Sequence, residues 1–277
     1  MRRLTLLLLF SSAALSASPK NHDVRSGDVS VSSQNKTTTI HQRTDKAVIH
    51  WDDFSIQHGE KVQVFQPSKR GALLNRVTGK KPSEIYGSLS SNGKVFLLNK
   101  NGIFIGPEGR IDTAGFIAST LELEDRQFMT GDTFLFSGDS EASIVNLGRV
   151  ETHGGDLFVL ARKVENHGAL KANEGKVGIA GATEVILTED SPEQIYIRPQ
   201  SKGTVTNEGT IEGVQAILKA AGDNAYALAL NQNGIIQATG VRSEGGQVLL
   251  VAEQGITQVS GSVQATKEDG SEEQFIF

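Results

Sequence analysis

Between Ser91 and Thr120 the apolar positions fall into brief runs, Val95–Leu98, Ile103–Ile105 and Phe116–Ile117, each too short for a helix. The dipeptides Asn92-Gly93, Asn101-Gly102 and Glu108-Gly109 punctuate this stretch. Asn and Gly tolerate positive φ, so each pair predicts a sharp corner, and the apolar runs between corners predict short strands.

From residue 144 onward a theme recurs: apolar residue, Asn, any, Gly, any, Val or Ile. It reads Val145-Asn-Leu-Gly-Arg-Val150, Glu165-Asn-His-Gly-Ala-Leu170 and Thr206-Asn-Glu-Gly-Thr-Ile211. A copy one residue shorter is Gln232-Asn-Gly-Ile-Ile236, and a degenerate one is Val259-Ser-Gly-Ser-Val263. Its glycines stand at 148, 168, 209, 234 and 261, in steps of 20, 41, 25 and 27. One unit of about 20–27 residues, counted twice in the second step, fits all of them. A second theme follows each corner: Gly155-Asp-Leu-Phe-Val-Leu-Ala161, Gly175-Lys-Val-Gly-Ile-Ala180, Val214-Gln-Ala-Ile-Leu218 and Gly246-Gln-Val-Leu-Leu-Val-Ala252. Each unit therefore predicts two strands and two Gly corners. The Leu-x-x-Leu-x-Leu signature of leucine-rich repeats is absent, and only Gly154-Gly155-Asp156 hints at a calcium-binding nonapeptide.

Neither strand of such a unit can bury its apolar face alone, so the units must stack. The expected fold is all-β: a right-handed parallel β-helix, a β-solenoid of short coils. Nine or ten coils at roughly 4.8 Å each would make a rod near 45 Å long. Leu157, Val159 and Ala161 point inward in this arrangement. Phe158 and Leu160 are apolar as well, so their outer face needs a cover from outside the coil. The corner asparagines are expected to stack on one another, their amides satisfying turn carbonyls.

Two stretches break the rhythm. Residues 121–143 are acidic and irregular, with Glu122, Glu124, Asp125, Asp132, Asp139 and Glu141, and predict a fast-exchanging loop that leaves the rod. Residues 182–199 hold Glu184-Val-Ile-Leu and Gln194-Ile-Tyr-Ile around Asp190-Ser-Pro192, which predicts an extra-helical hairpin. Residues 21–66 alternate loosely and carry the single tryptophan, Trp51; they are expected to form an N-terminal β cap over the first coil, with coils over 67–277.

The N-terminus changes the compartment. Met1-Arg2-Arg3, the apolar run Leu4–Phe10 and the small-residue exit Ser11–Ser16 have the three parts of a secretory signal peptide. Cleavage is expected after Ser16, with Ser18 second, leaving a mature domain over 17–277. The Leu4–Phe10 run of seven residues, six of them apolar, is too short to span a bilayer. Cysteine is absent, which suits a large repetitive core and a chain that must stay unfolded until it crosses a second membrane. The 277 residues carry a formal net charge of −5, with no polycationic footprint for nucleic acid.

Several pieces in fixed order resemble a known family. Ile49-His-Trp51-Asp-Asp-Phe54 is similar to its Ile-x-Trp-x-x-Phe cap strand, and Ala72–Gly79 to its Asn-Arg-Val-Thr-Gly turn. Gly87–Leu98 is similar to its Gly-x-Leu-x-x-Asn-Gly-x-Val-Phe-Leu coil, and Asp112–Thr120 to its Thr-x-Gly-Phe-x-Ala-Ser-Thr corner. The family is the N-terminal secretion domain of two-partner-secreted exoproteins, the filamentous haemagglutinins and high-molecular-weight adhesins. Its Asn-Pro-Asn-Gly-Ile motif stands here as Asn99-Lys100-Asn101-Gly102-Ile103; Lys100 replaces the proline, frees φ and adds a charge. Its Asn-Pro-Asn-Leu motif is not found. The resemblance implies a recognition module delivered by the general secretory machinery to the periplasm of a double-membraned bacterium. There it engages the periplasmic domains of an outer-membrane β-barrel transporter, and it folds outside the cell, secreted or at the surface. The residues implied are Asn75, Arg76, Val77 and Thr78 of the first turn and Asn99, Asn101, Gly102 and Ile103 of the second. An extended chain could bind by adding a strand to a partner's sheet edge.

Enzyme chemistry has little support. Gly87 to Val95 has five residues between its glycines and no terminal hydroxyl, so it is no phosphate loop, and no cofactor motif appears. The six histidines show no metal spacing, and no Gly-x-Ser-x-Gly elbow exists. β-Helices also host polysaccharide-degrading enzymes, which need acids and bases projected from adjacent coils. Arg149, Lys171 and Glu212 are the charges expected at matching positions, with no repeated Asp pair. A free-standing adhesin binding a host glycan or protein is the third class, because a ligand surface on a rod carries no motif.

Overall fold

The computed structural model describes residues 19–188, 195–197, 201–213, 215–221, 228–232, 235–239, 247–253, 256–259, 263–266 and 272–274. The expected signal peptide at 1–16, the hairpin tip Asp190-Ser-Pro192 and the corner glycines 234 and 261 lie outside these residues. Apart from one six-residue helix, Asp125–Thr130, the assigned elements are all strands. No helix among the described residues is long and apolar enough to cross a membrane.

Three sheets run the length of a parallel β-solenoid with a triangular coil. The first stacks Lys46–Asp53, Ala72–Val77, Lys94–Leu98, Gly115–Ser119, Leu157–Ala161, Lys176–Gly181, Gln215–Ala221 and Gln247–Glu253 in parallel. The second runs from Thr37–Gln42 through Lys61–Phe65 and Arg110–Thr113 to Val263–Thr266. The third holds the shortest strands, among them Ser83–Ile85, Ile103–Ile105, Ser143–Asn146, Lys163–Asn166 and Thr204–Asn207. Each coil thus has three strands, not two. The Asn-x-Gly theme is the corner between the third sheet and the second, while the second theme is a strand of the first sheet.

The seven-stranded third sheet limits the coils with a strand on every face to seven, fewer than the nine or ten expected. The reason lies in the 41-residue step. Lys163–Asn166 pairs directly with Thr204–Asn207, so Gly168 and Gly209 belong to adjacent coils. The extra residues form an excursion, not a hidden coil.

Alternation along the strands divides the apolar residues between two cores. In the first sheet Leu73, Val95, Phe116, Leu157 and Val177 are successive partners, and all point into the coil with no exposure. Burying each such side chain contributes about 1.5–3 kcal/mol. Their neighbours Leu74, Phe96, Ile117 and Phe158 face outward, yet are buried in a second cluster. What covers them is the pair of excursions. Thr133–Ser137 pairs antiparallel with Glu184–Thr188, which pairs with Ile195–Ile197, giving a three-stranded sheet laid over the rod. Phe128 of the helix meets Phe96 edge-on at 5.0 Å, and Lys46 lies over the rings of Phe128 and Phe134.

Residues 121–143 are therefore not an irregular loop. Their acidic composition masks Leu121, Leu123, Phe128 and Phe136, which are fully or almost fully buried. Helix and strand take up 125–130 and 133–137, and 138–142 is the longest stretch of the segment without regular structure. In hydrogen exchange the amides of Glu122, Phe128 and Ser137, bonded to the carbonyls of Ser137, Glu124 and Glu122, should exchange far more slowly than free amides. Free-amide rates at all three would mean that the cover does not dock in solution.

At the N-terminal end, Lys20–Ser26 pairs antiparallel with Lys46–Asp53, and Val29–Gln34 antiparallel with Thr37–Gln42. Val24, Val29 and Val31 pack against the inner core. The first two sheets thus end in strands running against the stack.

Candidate recognition site

The first motif turn begins inside the rod. Asn75 lies mid-strand in Ala72–Val77, paired in register with Ile49 and Leu97, and has no exposure. A buried amide must be satisfied within the protein. Here the Trp51 Nε1–H donates to Asn75 Oδ1 at 3.0 Å, and Asn75 Nδ2 donates to the Phe96 carbonyl at 3.3 Å. Val77 is also in the inner core, whereas Thr78 is exposed and donates through its backbone N–H and its hydroxyl to the Trp51 carbonyl.

Arg76 points the other way, onto the outer face. Only 13 % of its side chain is exposed, because the inserted segment closes over it. Its guanidinium bonds Asp125 Oδ1 from Nε at 3.1 Å and from a terminal nitrogen at 2.7 Å. It also contacts the Glu122 carboxylate and the Leu123 carbonyl. His50 Nε2 lies 2.8 Å from the other oxygen of Asp125.

The second motif turn is a knot of asparagine side chains. Asn99 is buried; its Nδ2 donates to the Lys81 carbonyl and the Ser83 hydroxyl at 3.0 Å each, and its Oδ1 accepts the Asn101 N–H at 2.9 Å. The last bond is the local side-chain turn that asparagine favours. Asn101 Nδ2 then donates to the Gly79 carbonyl at 2.9 Å, joining this corner to the end of the first motif one coil earlier. Gly102 has φ +113°, a conformation reserved for glycine, and Ile103 is buried in the inner core. Gly93 and Gly109, expected to share positive φ, do not: among the described residues only Gly27, Gly59 and Gly102 do among glycines. Other corner glycines answer to close backbone contact instead.

The structure therefore brings Thr78, Gly79, Asn99, Asn101 and Gly102 together at one corner. Asn75, Val77 and Ile103 lie in the core, and Arg76 beneath the cover. Sequence reading missed Glu122, Asp125 and Ser140, whose hydroxyl donates to the Lys100 carbonyl at 2.6 Å. Their signal was the acidic run itself, which read as solvated. A groove of about 500 Å³ is lined by Lys80, Lys100, Asn101, Thr120, Glu122 and the 138–142 segment.

The charges considered for catalysis are placed differently from expectation. Lys171 pairs in register with Glu151 and Glu212, but Arg149 pairs with Ala169, two positions away. The row on the second sheet is Asp112, Glu151, Lys171 and Glu212, so two carboxylates do stand side by side. Each has a side-chain partner close by. His153 Nε2 lies 2.6 Å from Asp112, Lys171 Nζ lies 2.8 Å from Glu212, and Arg149 bonds Glu151 at 2.6 Å. The Asn173 amide, and after it the Arg149 guanidinium, holds the Glu151 carboxyl below the usual carboxylate range, against the proton-holding role of a general acid. Among the described residues no cluster of three or more His, Asp or Glu could hold a metal.

The comparisons with known proteins agree with the solenoid fold. The sequence matches the family model described as the TPS secretion domain over residues 15–265. Two Haemophilus influenzae proteins named heme/hemopexin-binding protein are 32% and 31% identical, over 85% and 90% of this chain. The match takes up 27% and 30% of those relatives, so the chain spans less than a third of their length. The HMW1 secretion domain from Haemophilus influenzae superposes with a TM-score of 0.76 at 28% identity, over 91% of this chain and 67% of that one. The filamentous hemagglutinin secretion domain superposes with a TM-score of 0.53 at 15% identity, over 88% of this chain and 97% of that one, a likeness of fold alone.

Proposed function

The chain belongs to the TPS secretion domain family, that of two-partner secretion, and on that premise we propose that it is the module by which an exoprotein is recognised for export. The general secretory machinery delivers it to the periplasm. There its two motif turns engage the periplasmic domains of a dedicated outer-membrane transporter, and the chain crosses unfolded and winds into the solenoid outside. One observation carries this reading. Asn75, Val77, Asn99 and Ile103 are between 0 and 3 % exposed once the coils have formed. A partner that reads these side chains must meet the chain before it folds, and an extended segment offers both its backbone and its side chains for strand addition.

The test is secretion in a strain carrying the co-encoded transporter. Asn101→Ala is expected to leave the leader cleaved but the protein trapped in the periplasm, with little reaching the medium. The purified variant should refold almost as well as the natural chain, because Asn101 is only half-buried and its bonds can pass to water. Asn75→Ala is a less clean probe: it strands the buried Trp51 N–H, a loss of about 1–3 kcal/mol. Normal secretion of the Asn75→Ala/Asn101→Ala double variant would remove both residues from the recognition site.

A further inference from the structure

We infer that the inserted segment 121–142 is a self-masking device, which takes up the Arg76 guanidinium of the first recognition turn and ties down the backbone of the second once the domain has folded, and so hinders the folded product from returning to its transporter. The inference rests on the recognition reading above. Its physical basis is that one segment touches both motifs. At the first, Glu122, Asp125 and the Leu123 carbonyl together take up the Arg76 guanidinium, an exposed cation in the unfolded chain that is left 13 % exposed in the folded one. At the second, the Ser140 hydroxyl donates to the Lys100 carbonyl at 2.6 Å, and Ala142 lies beside Gly102.

The timing is built into the chain. Glu122 is 46 residues beyond Arg76, and the two coils between them must wind before its carboxylate reaches the guanidinium. The cover is then locked from still later in the sequence, where Glu184–Thr188 pairs with Thr133–Ser137. Arg76 is thus available until two further coils have wound, and is withdrawn after them. A guanidinium held by two carboxylates and a carbonyl has little left to offer a partner. An apolar cover alone would have needed no such arrangement. The outer cluster is already closed by Phe128, Phe136 and Val185, and Arg76 could have pointed to solvent beside it.

The experiment compares binding of the full mature chain to detergent-solubilised co-encoded transporter in two states: rapidly diluted from urea, and fully refolded. The diluted natural chain is expected to bind and the refolded one to bind at least tenfold more weakly. Refolded Glu122→Gln/Asp125→Asn should recover part of that loss, about threefold or more, because Arg76 is released while Asn75 and Asn99 stay within the coils, and adding Arg76→Ala to it should abolish the gain. Circular dichroism establishes that the variants are folded; if the double variant is not, Asp125→Asn alone serves, with a smaller gain in the same direction. Equal binding by diluted and refolded natural chain would overturn the inference. So would a folded unmasked variant that binds no better than the folded natural chain, since burial within the coils would then suffice. If the diluted chain itself does not bind, the recognition reading fails, and masking with it.

Discussion

Gly168→Val is expected to destabilise the domain by about 3 kcal/mol or more, enough to unfold many domains of marginal stability. The reason is contact, not dihedral strain, since Gly168 is not among the glycines with positive φ. A Cβ at Gly168 would sit 2.1 Å from the Gly148 carbonyl oxygen and 2.8 Å from the Gly148 nitrogen. That carbonyl cannot swing aside, because it accepts the Ala169 N–H at 2.8 Å as part of the ladder between coils. The pattern continues upward, where a Cβ at Gly209 would meet the Gly168 carbonyl at 2.1 Å. Gly59 is the informative contrast: its φ is +74°, but nothing lies within 4 Å of its Cβ position. Gly59→Ala should cost only the left-handed backbone penalty, about 1–2 kcal/mol. Urea denaturation should therefore rank Gly168→Ala as the more damaging alanine. The reverse order would show that the coils are spaced more loosely at this corner.

Asn166→Ala should cost about 2–4 kcal/mol, read as a fall in the denaturation midpoint with unchanged slope. Asn166 is the middle rung of a buried ladder. It accepts from Asn146 Nδ2 at 2.8 Å and donates to Asn207 Oδ1 at 2.6 Å. Truncation strands a donor on one side and an acceptor on the other, both away from water. Asn207→Ala strands the Asn166 amide and removes the local bond from Asn207 Nδ2 to the Gly209 carbonyl at 3.1 Å, but breaks one inter-asparagine bond where Asn166→Ala breaks two; it should cost less, and the difference measures the ladder. If they are equally harmful, the side-chain stack contributes nothing beyond each corner's own bonds, such as Gly148 N–H to Asn146 Oδ1 at 3.1 Å.

The solenoid was legible because a repeated corner leaves a repeated spelling. Asn146, Asn166 and Asn207 could be aligned by eye, and the alternation of Leu157 to Ala161 told inside from outside. The apolar outer residues Phe158 and Leu160 also showed that a cover was needed. What supplies it was harder to read. The segment that starts at Leu121 hides four core residues among six acids, and two of the acids, Glu122 and Asp125, bind Arg76 and His50, which only tertiary placement reveals. The coil number failed for a related reason, since spacing alone cannot tell a missing repeat from an inserted excursion. The motif turns were visible as strings. Their burial was not, because Asn75 and Asn99 read only as turn residues until the Trp51 indole and the Ser83 hydroxyl are seen to satisfy them.

Both excursions leave at the same corner of the triangle, directly after the first-sheet strands Gly115–Ser119 and Lys176–Gly181, and neither interrupts a ladder. Ser119 still pairs with Leu160, and Gly181 with Ala220, as though nothing had been inserted. Chain length and axial rise are thereby uncoupled. At this corner the architecture accepts some twenty additional residues with no change of pitch, which makes it the natural graft point for a foreign epitope or enzyme displayed on the side of the rod.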